Sequence, residues 1–232
     1  DNFNQLFENT EQSENVCASV RENRAFKILE ENKGKISLNT MADIMRDVGE
    51  DSENYEPDKA ELKQNLVCMH AKPHPDAFWH ATGAMITDSN EDGIIVWMTG
   101  SAANDLSIFK PLFFNIPLPS QLNFLPRGVY DNKSYWWKHE KLHRRAIINY
   151  KDLKPEIRNS FDEIERKFFS ESPNLRKASA KEKIEFSQYC WDEAENLTDK
   201  LIEKISKRSF PIKSGPFIDM WNNFNKKFNF SF

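Results

Sequence analysis

Long hydrophobic runs are the first thing this sequence lacks. No stretch approaches the roughly 18 to 20 consecutive apolar residues that a membrane span requires, and the opening DNFNQLFENT has neither a basic region nor an apolar signal core. No membrane partner is expected. Cysteine is scarce too: Cys17, Cys68 and Cys190 are an odd number without paired spacing, which argues against a disulfide framework or a zinc knuckle and for a reducing, cytoplasmic setting. A basic excess is also missing. Lys and Arg number 32 against 36 Asp and Glu, a net charge of -4, so the cationic surface that phosphate backbones require is absent and no nucleic-acid partner is expected. There is no internal repeat, and the sequons at Asn132, Asn196 and Asn229 are expected by chance in a chain this rich in Asn.

What is present is the material of a core, 39% hydrophobic and 12% aromatic residues. Ser13 opens a predicted helix to about Asn32, and Ser37 or Asn39 caps a second with Met41, Ile44 and Met45 as its buried stripe and Gly49 as its stop. The acidic EDSENYEPDKAE that follows reads as a surface loop. Three apolar runs then suggest strands, at 66–71, 78–89 and 93–102, the last two paired through a turn at Asn90 to Gly93. Such continuous runs fit strands covered on both faces. Pro117, Pro119 and Pro126 mark a connector, which divides the chain into units 1–128 and 129–232. Helices are expected at about 132–150, 155–170 and 179–208. The aromatic tail FIDMWNNFNKKFNFSF is expected to pack on the body or on a second copy, as in a homo-oligomer.

Residues 139–143 read HEKLH, the zinc-protease pattern, in which two histidines one helical turn apart share an ion and the glutamate activates its water. Glu163 or Glu165 would be the third ligand. Against this, Lys141, Arg144 and Arg145 occupy positions that zinc-protease helices leave uncharged. The expectation is therefore no metal and no other cofactor, with His139, Glu140, His143 and Arg144 forming a hydrogen-bonded helix face and Trp136 and Trp137 packing.

VCMHA at 67–71, ATGAMITD at 81–88, WMTGSAANDLSIFKPLFF at 97–114 and YWWKHEKLHRRAI at 135–147 resemble the secernins and their cysteine dipeptidase relatives. The resemblance covers most of residues 15–150 and implies an N-terminal nucleophile (Ntn) hydrolase: an α+β fold, an αββα sandwich, with a helical C-terminal extension. It implies amide hydrolysis by a cysteine that is first in the mature chain, its own α-amine serving as base. Here the chain opens on Asp1, so it reads as a fragment or processed piece. It looks like the C-terminal half of such an enzyme, with the nucleophilic Cys on an upstream segment that is its partner and a peptide or other amide as substrate. Two alternatives are a catalytically silent, secernin-like binding or trafficking protein and a zinc metalloprotease acting through His139, Glu140 and His143.

The same resemblance, extended to the more distant cholylglycine hydrolases, puts Arg21 of VRENRAFKIL on an active-site arginine. A fixed guanidinium there would favour the thiolate and stabilise developing negative charge. Thr82 and Gly83 are weaker candidates for lining the substrate site, Gly83 by letting a substrate backbone approach. His70, near a predicted strand end, is a third. In SIFKP, Phe109 is expected buried and Lys110 exposed at a turn.

Overall fold

The computed structural model describes residues 6–15, 17–60, 66–74 and 79–230. The expectations for residues 1–5, Val16, Phe78 and the last two tail residues lie outside these. The fold is α+β: α1 (Thr10–Asn15), α2 (Ala18–Glu31) and α3 (Leu38–Arg46) precede β1 (Met85–Asn90), β2 (Gly93–Met98) and β3 (Lys110–Phe113). Then follow α4 (Tyr135–Ile148), α5 (Tyr150–Glu171), α6 (Ala180–Ser206) and α7 (Pro216–Lys227). No helix among the described residues is long and apolar enough to cross a membrane.

Local chemistry explains the helix ends. Ser37 Oγ accepts from the Thr40 amide and the Thr40 hydroxyl accepts from the Ser37 amide, while Ser179 and Glu182 make the same reciprocal cap at the start of α6. Asn149 leaves the helical region between α4 and α5, so α5 begins at Tyr150, five residues before the expected 155. The tail is a helix, started by Gly215 and Pro216, and Phe217 and Trp221 bury its apolar face on the body.

The sheet is a purely antiparallel β1-β2-β3, with Ile86 opposite Trp97 and Ile95 opposite Phe113. Those four side chains form the covered face, under α5 and α6, where Phe169 meets the Trp97 ring edge-on at 4.7 Å. One hydrophobic cluster joins residues from both sides of the proline-rich connector. The opposite face is only partly open: Lys110, opposite Met98, is buried on it, and Val96, Met98 and Leu112 are half-buried. Met85, Met98, Val96, Ile94 and Leu112 share it by register, with Met85 57% and Ile94 45% exposed.

Two strand assignments are corrected. Residues 66–71 belong to no sheet: burial alternates from Leu66 to His70, but the chain bends at Val67 and Cys68, whose amides both donate to the Asp47 carbonyl. SIFKP leads into β3 instead of a turn. Pro111 fits there because β3 is an edge strand, where one missing amide donor is tolerated. The buried Phe109 agrees with expectation, but Lys110 is fully buried. Its ammonium donates to the Thr99 and Ile108 carbonyls and the Tyr135 hydroxyl, and lies 4.6 Å and 4.5 Å from the Tyr135 and Trp191 ring centres.

Candidate functional site

The polar interior centres on Asp105, in a 3₁₀ turn (Asn104–Leu106) that Ala103 enters in the left-handed region, φ 56. Its carboxylate accepts from Cys68 Sγ at 3.3 Å, from His70 Nε2 at 3.1 Å and from the Tyr150 hydroxyl, with Lys154 Nζ 3.9 Å away. Burial alone would raise the Asp105 pKa, but His70, Lys154 and the Tyr150 hydroxyl overcome it and hold the group ionised. The same carboxylate, added to burial, pushes the Cys68 thiol and the Tyr150 phenol well up. Cys68 is thus a protonated donor with no exposed surface, unsuited to attack a carbonyl.

A second group adjoins it. His143 Nδ1 lies 3.0 Å from Glu140 Oε1, and the other Glu140 oxygen accepts from Arg144 Nε at 2.7 Å. The Arg144 guanidinium also donates to Asn225 and is ringed by Trp137, Trp221, Phe228 and Phe230. The His80 ring stacks on His143, centroids 4.6 Å apart, and lies 5.7 Å from His70. Three histidines from three separate segments therefore meet.

The H-E-x-x-H pair does not converge. His139 faces Ser107, whose hydroxyl is 3.2 Å from Nε2, and stacks on Phe161. Burial, with the charges of His143 and Lys110, pushes its imidazole down to about 3. Glu165, one nominated third ligand, accepts from Arg46 and from the Phe109 amide, and Glu163 is exposed. The expected helix face exists only in part: Glu140, His143 and Arg144 are hydrogen-bonded together, while His139 serves another neighbour.

The other predicted residues lie in different places. Arg21, half-buried in α2, donates from Nη2 to the Val67 carbonyl at 3.3 Å, so it braces the segment carrying Cys68 and His70. Its neighbour Arg24 is held by Asp47 at 3.0 and 2.7 Å. Thr82 and Gly83 line a cleft of about 340 Å³ with Met85, Met98, Phe124 and Trp136. Arg21 is not among its lining residues, and His70 is buried with Asp105 instead. Sequence reasoning missed Asp105, Tyr150 and His80. The Cys-x-His spacing at 68–70 was a usable signal for two partners of Asp105; nothing local signalled His80. No family model, curated protein or solved structure matches the chain.

Proposed function

We propose that this chain is the C-terminal half of a cysteine-type Ntn amidohydrolase, dipeptidase-like in substrate class, whose nucleophilic Cys lies on an upstream segment of the same protein. The observation that carries the reading is the one-sided sheet. Helices cover Ile86, Ile95 and Trp97, while on the other face Met85 and Ile94 are exposed and Val96 and Met98 half-buried, an apolar strip that the described residues leave largely uncovered away from the buried Lys110. A soluble fold does not normally leave such a face wet, and a second sheet stacked there would complete an αββα sandwich. The Thr82–Gly83 cleft opens at the Met85–Met98 end of that face, where an incoming segment could present a terminal thiol to an amide.

Attack by that thiol, with its own α-amine taking the proton, would give an acyl-enzyme and release the amine; water would then release the acid. Cys68 and Cys190 are fully buried with thiols pushed up by burial, and the half-buried Cys17 is mid-chain with no α-amine of its own to act as base, which favours a nucleophile supplied from elsewhere. The separation of Arg21 from the cleft favours a second reading, a catalytically silent binding or trafficking protein of the same fold. The deciding experiment compares residues 1–232 alone with their co-expression with the upstream half. Alone, the chain should self-associate and hydrolyse no amide; together, the halves should give a compact species that cleaves dipeptides and loses activity when the terminal Cys is replaced. A compact but inactive complex supports the silent protein. A monomeric, cooperatively folding and active product from residues 1–232 alone overturns both the half-sandwich and the nucleophile assignment.

A further inference from the structure

We propose that His70, His80 and His143 form a binding site for one divalent transition-metal ion of the zinc class. Each offers a ring nitrogen, and the three nitrogens lie within 4.8 Å of one another. Imidazole nitrogens sharing one tetrahedral ion at about 2.0–2.1 Å sit somewhat closer than that, so closure needs only small ring movements.

The tautomers follow from the partners. His143 Nδ1 faces the Glu140 carboxylate, which accepts its proton in a hydrogen bond, so the ring nitrogen available to an incoming ion is Nε2, any proton there being displaced by the metal. By the same logic His70 donates from Nε2 to Asp105 and keeps its lone pair on Nδ1. Those two nitrogens and both nitrogens of His80 are buried without a hydrogen-bond partner. Four orphaned acceptor or donor positions in one place is an expensive arrangement for a folded chain unless something else fills it. Because neither ring nitrogen of His80 has a hydrogen-bond partner, either tautomer leaves one lone pair free to face an ion.

The surroundings are those of a metal centre. Ligating imidazoles characteristically donate their other N–H to a carboxylate, which fixes the ring and raises its basicity; His70 has Asp105 and His143 has Glu140 in that role. Three imidazole nitrogens suit zinc or cobalt(II) better than the hard cations, which prefer oxygen. This site is distinct from the H-E-x-x-H reading, because His143 takes part and His139 does not. It is also independent of the hydrolase proposal. An ion there would tie the 66–74 segment and His80 to α4.

The test uses the full-length protein, stripped with chelator and titrated with Zn²⁺ and, separately, Co²⁺. Expected are one equivalent of tight binding, a Tm that rises with metal, and visible cobalt bands of a tetrahedral nitrogen site without thiolate charge transfer. His80→Ala should weaken binding at least tenfold, and Glu140→Gln by about 10- to 100-fold, whereas His139→Gln should leave it within about twofold. Where His80→Ala fails to fold, the cobalt spectrum of the unsubstituted protein decides. Absence of stoichiometric binding, loss of binding with His139→Gln in folded protein, or a near-ultraviolet thiolate band that moves the ion to Cys68, His70 and Asp105 would each overturn the assignment.

Discussion

Removing the Glu165 carboxylate should cost this fold more than almost any other single polar change. The side chain is 4% exposed and meets Arg46, 11% exposed, at 2.6 Å. The same oxygen accepts from the Phe109 amide at 2.6 Å, and Arg158 stands 3.9 Å from the other. Glu165→Leu leaves a buried guanidinium without its counter-charge and a buried amide without an acceptor. Breaking such a pair from one side costs about 3–5 kcal/mol, which for a chain of this size lowers Tm by about 6–20 °C. Arg46 keeps the Asn104 and Ser107 carbonyls, which argues for the lower part of that range. Combining Glu165→Leu with Arg46→Met removes the stranded charge and leaves chiefly the Phe109 amide unsatisfied, worth about 1–3 kcal/mol. The double variant should therefore be more stable than Glu165→Leu alone. Denaturant and thermal unfolding of the three proteins measure this. A Glu165→Leu protein within 1 kcal/mol of the parent, or a double variant no better than the single, would refute the reasoning.

Burial pushes the Lys110 ammonium well down. Between that lowered folded value and the unfolded pKa of about 10.4 the unfolded chain binds more protons, so the contribution of Lys110 to stability should rise with pH from 7 to 9.5. The stability difference from Lys110→Met should change across that range; a flat difference means that the carbonyl and aromatic cage keeps the proton on throughout. Gly100 has φ +58, and a Cβ there would come 2.8 Å from the Trp191 ring, whereas at Gly83 the nearest atom is 3.8 Å away. Gly100→Ala should cost about 2–4 kcal/mol and Gly83→Ala less than about 0.5 kcal/mol, read by chemical denaturation; the reverse order would contradict the geometry. In an active full-length protein, a fall in turnover on the order of a hundredfold for Arg21→Ala, with stability within about 1 kcal/mol, would require the incoming segment to bring the reacting amide to Arg21, which lies outside the Thr82–Gly83 cleft. Unchanged kinetics would leave Arg21 only its bond to Val67.

Elements whose signals are local were legible in the sequence. The β1–β2 hairpin follows from two apolar runs around a turn, Ser37 announces α3, and the periodic stretch after Ser179 is α6. Segment 66–71 misled because a short apolar run reads as a strand wherever it is buried; here the chain bends and the Val67 and Cys68 amides go to Asp47, a partner that only the tertiary fold brings near. β3 hid behind Pro111, since an edge strand accepts a proline that a central strand refuses. The site was hardest to read. His139 and His143 have the spacing of a shared ion, but α4 sits between two neighbours, and Ser107 takes one ring while His80 and Trp221 take the other. Lys110 looked solvent-bound because lysine usually is, and nothing in SIFKP shows that Tyr135 and Trp191 will enclose it.

Glu140 divides its carboxylate between two masters, one oxygen for His143 and the other for Arg144, which in turn holds Asn225 on α7 and a ring of tail aromatics. The helix at the C-terminal end thus reaches the histidine cluster in two ways, through Glu140 and through Trp221, whose ring packs edge-on to His143 and His80. Whatever loosens the clasp around Arg144 lets Glu140 rotate away from His143, and whatever locks His143 in place tightens the clasp. By thermodynamic reciprocity the two events must favour each other by the same factor: an ion bound among the histidines would slow amide exchange in α7, and undocking α7 would weaken the ion's hold to an equal degree.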